Sequence, residues 1–300
     1  METRKFGSTD MNVSVLGFGG AEIGYEQASG SDVERLLNAA LDQGLNVIDT
    51  AECYADSEEK IGQAVAHRRN DFFLFTKCGH ASGFDLPDWN PKMLDQTIDR
   101  SLKRLQTECV DLVQLHSCSA ELLKQGDVVD VLVRAREAGK TRYIGYSGDR
   151  ENALYAVQCG AFDSLQTSVN IADQECLHLT LPKALATGMA VIAKRPIANA
   201  AWKTGEAGPA NGYVQPYWER LRQLAYGFLS ESSLDEAVGI ALRFTLSQSG
   251  VNVAIVGTKN PSRWGVNSSF ASQGALPSSQ VEEIRRRWHE VAQPDWVGQT

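Results

Sequence analysis

The chain has 300 residues, 29 of them basic and 37 acidic, for a formal net charge of −8. With 43% hydrophobic and 22% charged residues it is composed like an ordinary globular protein, which excludes wholesale disorder. The acidic balance excludes a general polyanion partner, since nucleic acid and anionic membrane both call for a basic footprint.

No run approaches about 18 apolar residues, so no membrane span is expected. The opening METRKFGSTD lacks the apolar stretch of a secretory signal. Six cysteines, at 53, 78, 109, 118, 159 and 176, form no CxxC pair and no metal-ligand spacing. Reduced thiols, a cytoplasmic location and no metal are the expectation.

In chain order, RKFGSTDMNVSVL sets a Gly-Ser-Thr-Asp turn between short extended runs and predicts a β-hairpin. Eight short apolar runs follow at 13–19, 46–50, 72–77, 110–116, 142–147, 164–166, 189–194 and 251–257. They read as strands buried on both faces, as in a parallel sheet. Between them lie helical patterns. Residues 32–44 carry one apolar stripe, with Ser31 and Asp32 as caps and Gly44 at the end. Residues 57–68 start on a capping Ser57, and 91–106 start on Pro91. Residues 128–139 end in Gly, and further helices are predicted near 150–159, 175–187, 233–248, 261–270 and 278–291. Strict alternation of eight strands with helices over about 250–300 residues predicts a closed (β/α)8 TIM barrel. The hairpin caps its bottom, and residues 1–300 form one domain. The step from strand seven to strand eight is too long for one βα unit. Its segment 195–230 reads as a long loop at the barrel mouth.

Barrel chemistry sits at the C-terminal ends of the strands. Asp49, Lys77 and His116 end strands two, three and four, and Tyr54 follows in DTAECY. Charged groups at the rim of a core are costly unless paired, and Asp49 and Lys77 on neighbouring strands can pair. A phenol beside an ammonium can exchange a proton with an oxygen, the ammonium favouring phenolate. A carboxylate holds the lysine, and a histidine polarises a carbonyl. That is a general acid–base set for carbonyl reduction or alcohol oxidation. None of the four supplies hydride, so a nicotinamide cofactor is required.

With these residues the sequence resembles the aldo-keto reductase superfamily along essentially its whole length. DTAECY (Asp49, Tyr54), FTK (Lys77) and LVQLH (His116) match the family's catalytic residues in order. The resemblance implies Tyr54 as proton donor, tuned by Lys77 and Asp49, with His116 holding the carbonyl. It implies that Ser147 in GYSG and Gln166 in LQTSVN hold the nicotinamide carboxamide. Lys194 and Arg195 occupy the strand-seven position where many members stack an aromatic ring, and RPIANAAW resembles the loop over the pyrophosphate. In VGTKNPSRWGVN it implies Thr258, Lys259 and Arg263 on a 2′-phosphate and Asn267 on adenine. Two basic residues and a hydroxyl favour NADP(H), with NAD(H) the alternative. Gly148 and Gly257 stand where the family has an asparagine and a lysine. The expected partner is a small aldehyde, ketone, sugar or polyol.

A Rossmann reading of GFGG, with Asp49 as the ribose acid, lacks the third glycine, since Glu22 stands there. It also leaves Lys77 and His116 without a role. A nucleotide-binding regulatory subunit on the same barrel stays open, because fold alone does not imply catalysis. Cys53, Cys78 and Cys118 fall near the site and read either as inert or as oxidation-sensitive. Trp89, Trp202, Tyr213, Tyr217 and Trp218 lie in mouth loops and either line a pocket or pack the loop. His67, His80, His178 and His289 read as surface or structural.

Overall fold

The computed structural model describes residues 1–299. Strands β1 (Thr3–Lys5) and β2 (Asn12–Ser14) form an antiparallel hairpin with Thr3 opposite Ser14. Eight parallel strands follow: β3 (Leu16–Gly19), β4 (Val47–Asp49), β5 (Phe73–Cys78), β6 (Val110–His116), β7 (Thr141–Ser147), β8 (Ser164–Ser168), β9 (Ala190–Lys194) and β10 (Val253–Gly257). They close into a barrel in chain order, with β10 bonded to both β3 and β9. This is the (β/α)8 architecture expected from the alternating pattern.

The first apolar run divides differently from its reading as one strand. Val13 and Ser14 belong to the hairpin, and only Leu16–Gly19 enters the barrel. Phe6, Met11 and Val13 from the hairpin pack on Val47, Phe75, Leu112, Ala190, Ile192 and Val253. A wide barrel bottom needs such a plug to exclude water. A second core lies between the strands and the surrounding helices, built from residues such as Leu36, Ile48, Leu74, Met93, Ile144 and Trp264.

Two predicted caps move. Ser29, not Ser31, caps the helix Gly30–Asp42, accepting from Asp32 N at 3.1 Å. Ser57 lies inside the helix Ser57–Val65, and its hydroxyl donates to Gly20 O at 2.8 Å. It ties two mouth loops together instead of capping.

Segment 195–230 is not a plain loop. It holds a helical stretch Ala198–Ala207, the helix Gln215–Leu224 and a turn Phe228–Glu231. Tyr217, Leu221 and Tyr226 pack with Ile171, Trp288 and Trp296 into their own apolar cluster. Residues 297–299 are tied to this region. Arg220 donates to Val297 O, Gly298 N to Glu175, and Gln299 N to Asp173. Among the described residues no helix is long and apolar enough to cross a membrane.

Asp173 sits under these residues and accepts from the Tyr217 hydroxyl at 2.9 Å. Burial pushes its carboxyl up to about 7, with Asp149 adding and Arg220 opposing. The folded protein therefore holds a proton that the unfolded chain releases from about pH 4 upward. By linkage this group makes stability fall as pH rises from about 4 to about 7. Denaturation of wild type and Asp173→Asn across that range is expected to show a steeper fall in wild type. Parallel profiles would contradict the assignment.

Candidate active site

The candidate site lies at the C-terminal ends of β4 to β9. Lys77 Nζ donates to Asp49 Oδ2 at 2.5 Å and to Thr50 O at 2.8 Å. Both side chains are 1% exposed. Two buried amides complete the carboxylate: Gln166 Nε2 at 3.0 Å and Gln114 Nε2 at 3.2 Å, both on Asp49 Oδ1. Ser147 Oγ donates to Gln166 Oε1 at 3.1 Å. Ser147, Gln166, Asp49 and Lys77 thus form one chain of hydrogen bonds across four strands. Burial lifts the Asp49 carboxyl above its ordinary range, and the ammonium and the amides limit that rise.

Tyr54 lies on this pair. Lys77 Nζ is 5.1 Å from its ring centroid, and the His116 ring meets it edge-on at 5.7 Å. The loop comes close because Gly24 has no side chain: a Cβ there would lie 2.2 Å from Tyr54 O. Glu52 anchors the same loop through ion pairs with Arg100 and Arg104. Burial pushes the Tyr54 phenol well above its usual range, and the nearby Asp49 adds to the rise. The lowering expected from the lysine is not found, since desolvation of the phenolate sets the direction. Burial and the positive charges of Lys77, Lys194 and Arg195 hold His116 well below its usual range. His116 is therefore a neutral imidazole near pH 7, able to donate one N–H.

The other expected cofactor residues fall in two groups. Lys194 ends β9 and pairs with Asp149 at 2.8 Å, both largely buried. Arg195 donates to Ser168 Oγ at 2.8 Å, Gln299 O at 2.6 Å and the Tyr213 hydroxyl at 2.5 Å. Arg195, Ala198, Asn199 and Ala200 all have positive φ, a costly run for residues with side chains. Thr258, Lys259, Arg263 and Asn267 gather at the end of β10 and on the helix Pro261–Ser272. Lys259 pairs with Glu26 at 2.9 Å and Arg263 with Asp235 at 2.5 Å, so both cations already have acidic partners. Asn267 is buried, and its Oδ1 has no hydrogen-bond partner. The Glu22 carboxylate lies directly over Gly257, where any Cβ would collide with it.

Of the mouth aromatics, Tyr217 is fully buried and Tyr213 is exposed. Trp202 and Trp218 pack on the cluster of Tyr217 and Trp288. Trp89 lies against Gly79 and edge-on to His80 at 5.6 Å. The three thiols do not ring the site together. Cys78 and Cys118 are buried, and burial pushes the Cys118 thiol up to about 12. Only Cys53 touches a site residue, with Sγ 3.4 Å from His116 Nδ1.

The sequence gives no signal for Gln114 or Asp149, and His80, expected at the surface or in a structural role, lies edge-on to the His116 ring at 5.4 Å. Gln114 stands inside LVQLH, an apolar run where a neutral amide carries no charge signal. Asp149 follows GYSG and was recognisable only as a counter-charge for Lys194.

Residues 15–288 match the model of the aldo/keto reductase family. The chain belongs to that family. It is 26% identical to the uncharacterized oxidoreductase YqkF of Bacillus subtilis, over 95% of this chain and 96% of that one. It is 27% identical to the L-galactose dehydrogenase of Arabidopsis thaliana, over 100% of this chain and 99% of that one. The holo form of aldo-keto reductase AKR11C1 from Bacillus halodurans shares the fold. Its TM-score is 0.83 at 24% identity over 96% of each chain. The chain is an oxidoreductase of the aldo-keto reductase type.

Breaking a buried ion pair by removing one partner costs roughly 3–5 kcal/mol. Asp49→Asn and Lys77→Met are each expected to lose about that much in denaturant unfolding. The double variant is expected to lose less than the sum, because neither charge is then left alone. Additive losses would show that the two groups do not interact.

Proposed function

We propose that this enzyme transfers hydride between a nicotinamide dinucleotide and a small carbonyl or alcohol, with Tyr54 as general acid and base. The observation that carries the reading is the seat of Tyr54 on the buried Lys77–Asp49 pair with neutral His116 at its edge. The expected substrates are aldehydes, ketones, and sugars or polyols. The sugar class is supported by the name of the Arabidopsis relative.

The residues present fit a dinucleotide. Ser147 and Gln166 are buried beside Asp49 and can hold a carboxamide. Asn267 keeps a buried oxygen without a partner at the opposite end, as an adenine amino group requires. The bound cofactor supplies the hydride. In reduction the substrate oxygen takes a proton from the Tyr54 hydroxyl, and Lys77 stabilises the phenolate left behind. Asp49 aims Lys77 through their hydrogen bond. His116 donates its N–H to the same oxygen and polarises the carbonyl. In oxidation each proton runs the other way.

A positioned acid contributes about 10²–10⁴-fold. Tyr54→Phe is expected to lower kcat by that factor and to leave the cofactor Kd unchanged. Unchanged turnover would contradict the role. The high phenol pKa sets the pH dependence. Reduction needs the protonated phenol, which is present throughout about pH 6–9, so its kcat stays flat there. Oxidation needs the phenolate, whose fraction grows with pH, so its kcat rises about tenfold per pH unit. A reductive kcat that falls from about pH 6 to pH 8 would place a different acid in the site.

For the cofactor we propose NADP(H) over NAD(H). Lys259 and Arg263 are held by partly exposed ion pairs, each worth about 0–1 kcal/mol, so a phosphate can recruit both cheaply. The acids Glu22, Glu26 and Asp235 nearby keep the preference modest. Fluorescence titration is expected to give the lower Kd for NADPH. A double Lys259→Ala/Arg263→Ala variant should lose that advantage while keeping NADH affinity. Tighter binding of NADH by wild type would overturn the assignment.

A further inference from the structure

Cys53, His80 and His116 come from the segments that follow β4 and β5 and from the end of β6. One donor atom from each lies within 4.8 Å of the other two, and all three residues are half-buried. Among the described residues no other group of His, Cys, Asp and Glu converges in this way. The two histidine rings meet edge-on at 5.4 Å. His80 is also held from behind. Its Nδ1 is 2.9 Å from Asp88 Oδ2, while Asp88 Oδ1 accepts from Ala81 N at 2.8 Å. A carboxylate on one ring nitrogen is the arrangement that fixes the tautomer of a metal-ligating histidine and leaves the other nitrogen free.

We propose that Cys53, His80 and His116 bind a zinc ion, with its fourth position open to the barrel mouth. One thiolate and two imidazoles suit zinc over magnesium or calcium, which take oxygen ligands. Tetrahedral bonds of about 2.0–2.3 Å place donors about 3.5 Å apart. Cys53 and His116 already stand at 3.4 Å. His80 lies on a loop, and its donor atom is within 4.8 Å of the other two. Binding releases the thiol proton to solvent, and the sulfur and two ring nitrogens each donate a lone pair. The ion then occupies Nδ1 of His116, the nitrogen that faces Cys53 Sγ.

The test uses chelator-washed full-length protein titrated with cobalt(II) as a spectroscopic stand-in, then with zinc in competition. One equivalent of cobalt is expected to give a thiolate-to-cobalt charge-transfer band, which zinc abolishes. The band should be missing in Cys53→Ser, and Asp88→Asn should weaken binding about 10–100-fold. His80→Gln should weaken it at least tenfold, with circular dichroism confirming that each variant is folded. No band in wild type, or an undiminished band in Cys53→Ser, would overturn the site. So would unchanged affinity in His80→Gln. These readings need no turnover, so they stand even if the enzyme proves inactive on every carbonyl tried.

Discussion

The mouth of this barrel is organised around one buried carboxylate. Asp49 is removed from water, and an isolated charge there costs several kcal/mol. The fold recovers that cost only by bringing donors from other strands. Lys77 arrives from β5, Gln114 from β6 and Gln166 from β8. Strand register makes the convergence possible, because Lys77 lies opposite Gln114, His116 opposite Ser147, and Ser147 opposite Gln166. A one-residue slip in any of these strands would turn a donor out of the barrel and leave the carboxylate unpaired. The same arrangement that makes the charge tolerable seats an ammonium beneath Tyr54. On the proposed function, structural satisfaction and proton chemistry use the same groups.

Most of this was legible in the sequence, for a physical reason. Strands buried on both faces are nearly all apolar, so a single ionisable residue at the end of such a run stands out, as Asp49, Lys77 and His116 do. What stayed hidden is what apolar patterning does not encode. Gln114 is an uncharged amide within an apolar run. The break between Val13 and Leu16 is set by the plug that Phe6 and Met11 make with the barrel floor. The order in segment 195–230 comes from packing against Trp288, Trp296 and Val297, far away in the chain. The direction of the Tyr54 shift depends on desolvation, which only the folded site defines. The meeting of Cys53, His80 and His116 depends on barrel closure and leaves no linear spacing to find.

The proposed adenosine end shows the same contrast between residue type and setting. Lys259 and Arg263 look like a phosphate clamp in the sequence, yet in the fold each is already bonded to an acid. Glu22 fills the space above Gly257, where the family pattern has a lysine. The overall charge of −8 is thus reflected locally, and the basic exception at this corner is smaller than the sequence alone implies. At the end near Tyr54 the cations are also paired, Lys77 with Asp49 and Lys194 with Asp149.

The most direct test of the account is a crystal structure of the protein with NADP+ and an alcohol substrate. The expected result puts the carboxamide on Ser147 and Gln166 and the substrate oxygen within hydrogen-bond reach of both the Tyr54 hydroxyl and His116. The reacting carbon would then stand about 3–3.5 Å from the nicotinamide ring. A substrate oxygen bound away from Tyr54, or a dinucleotide bound away from Ser147 and Gln166, would contradict it.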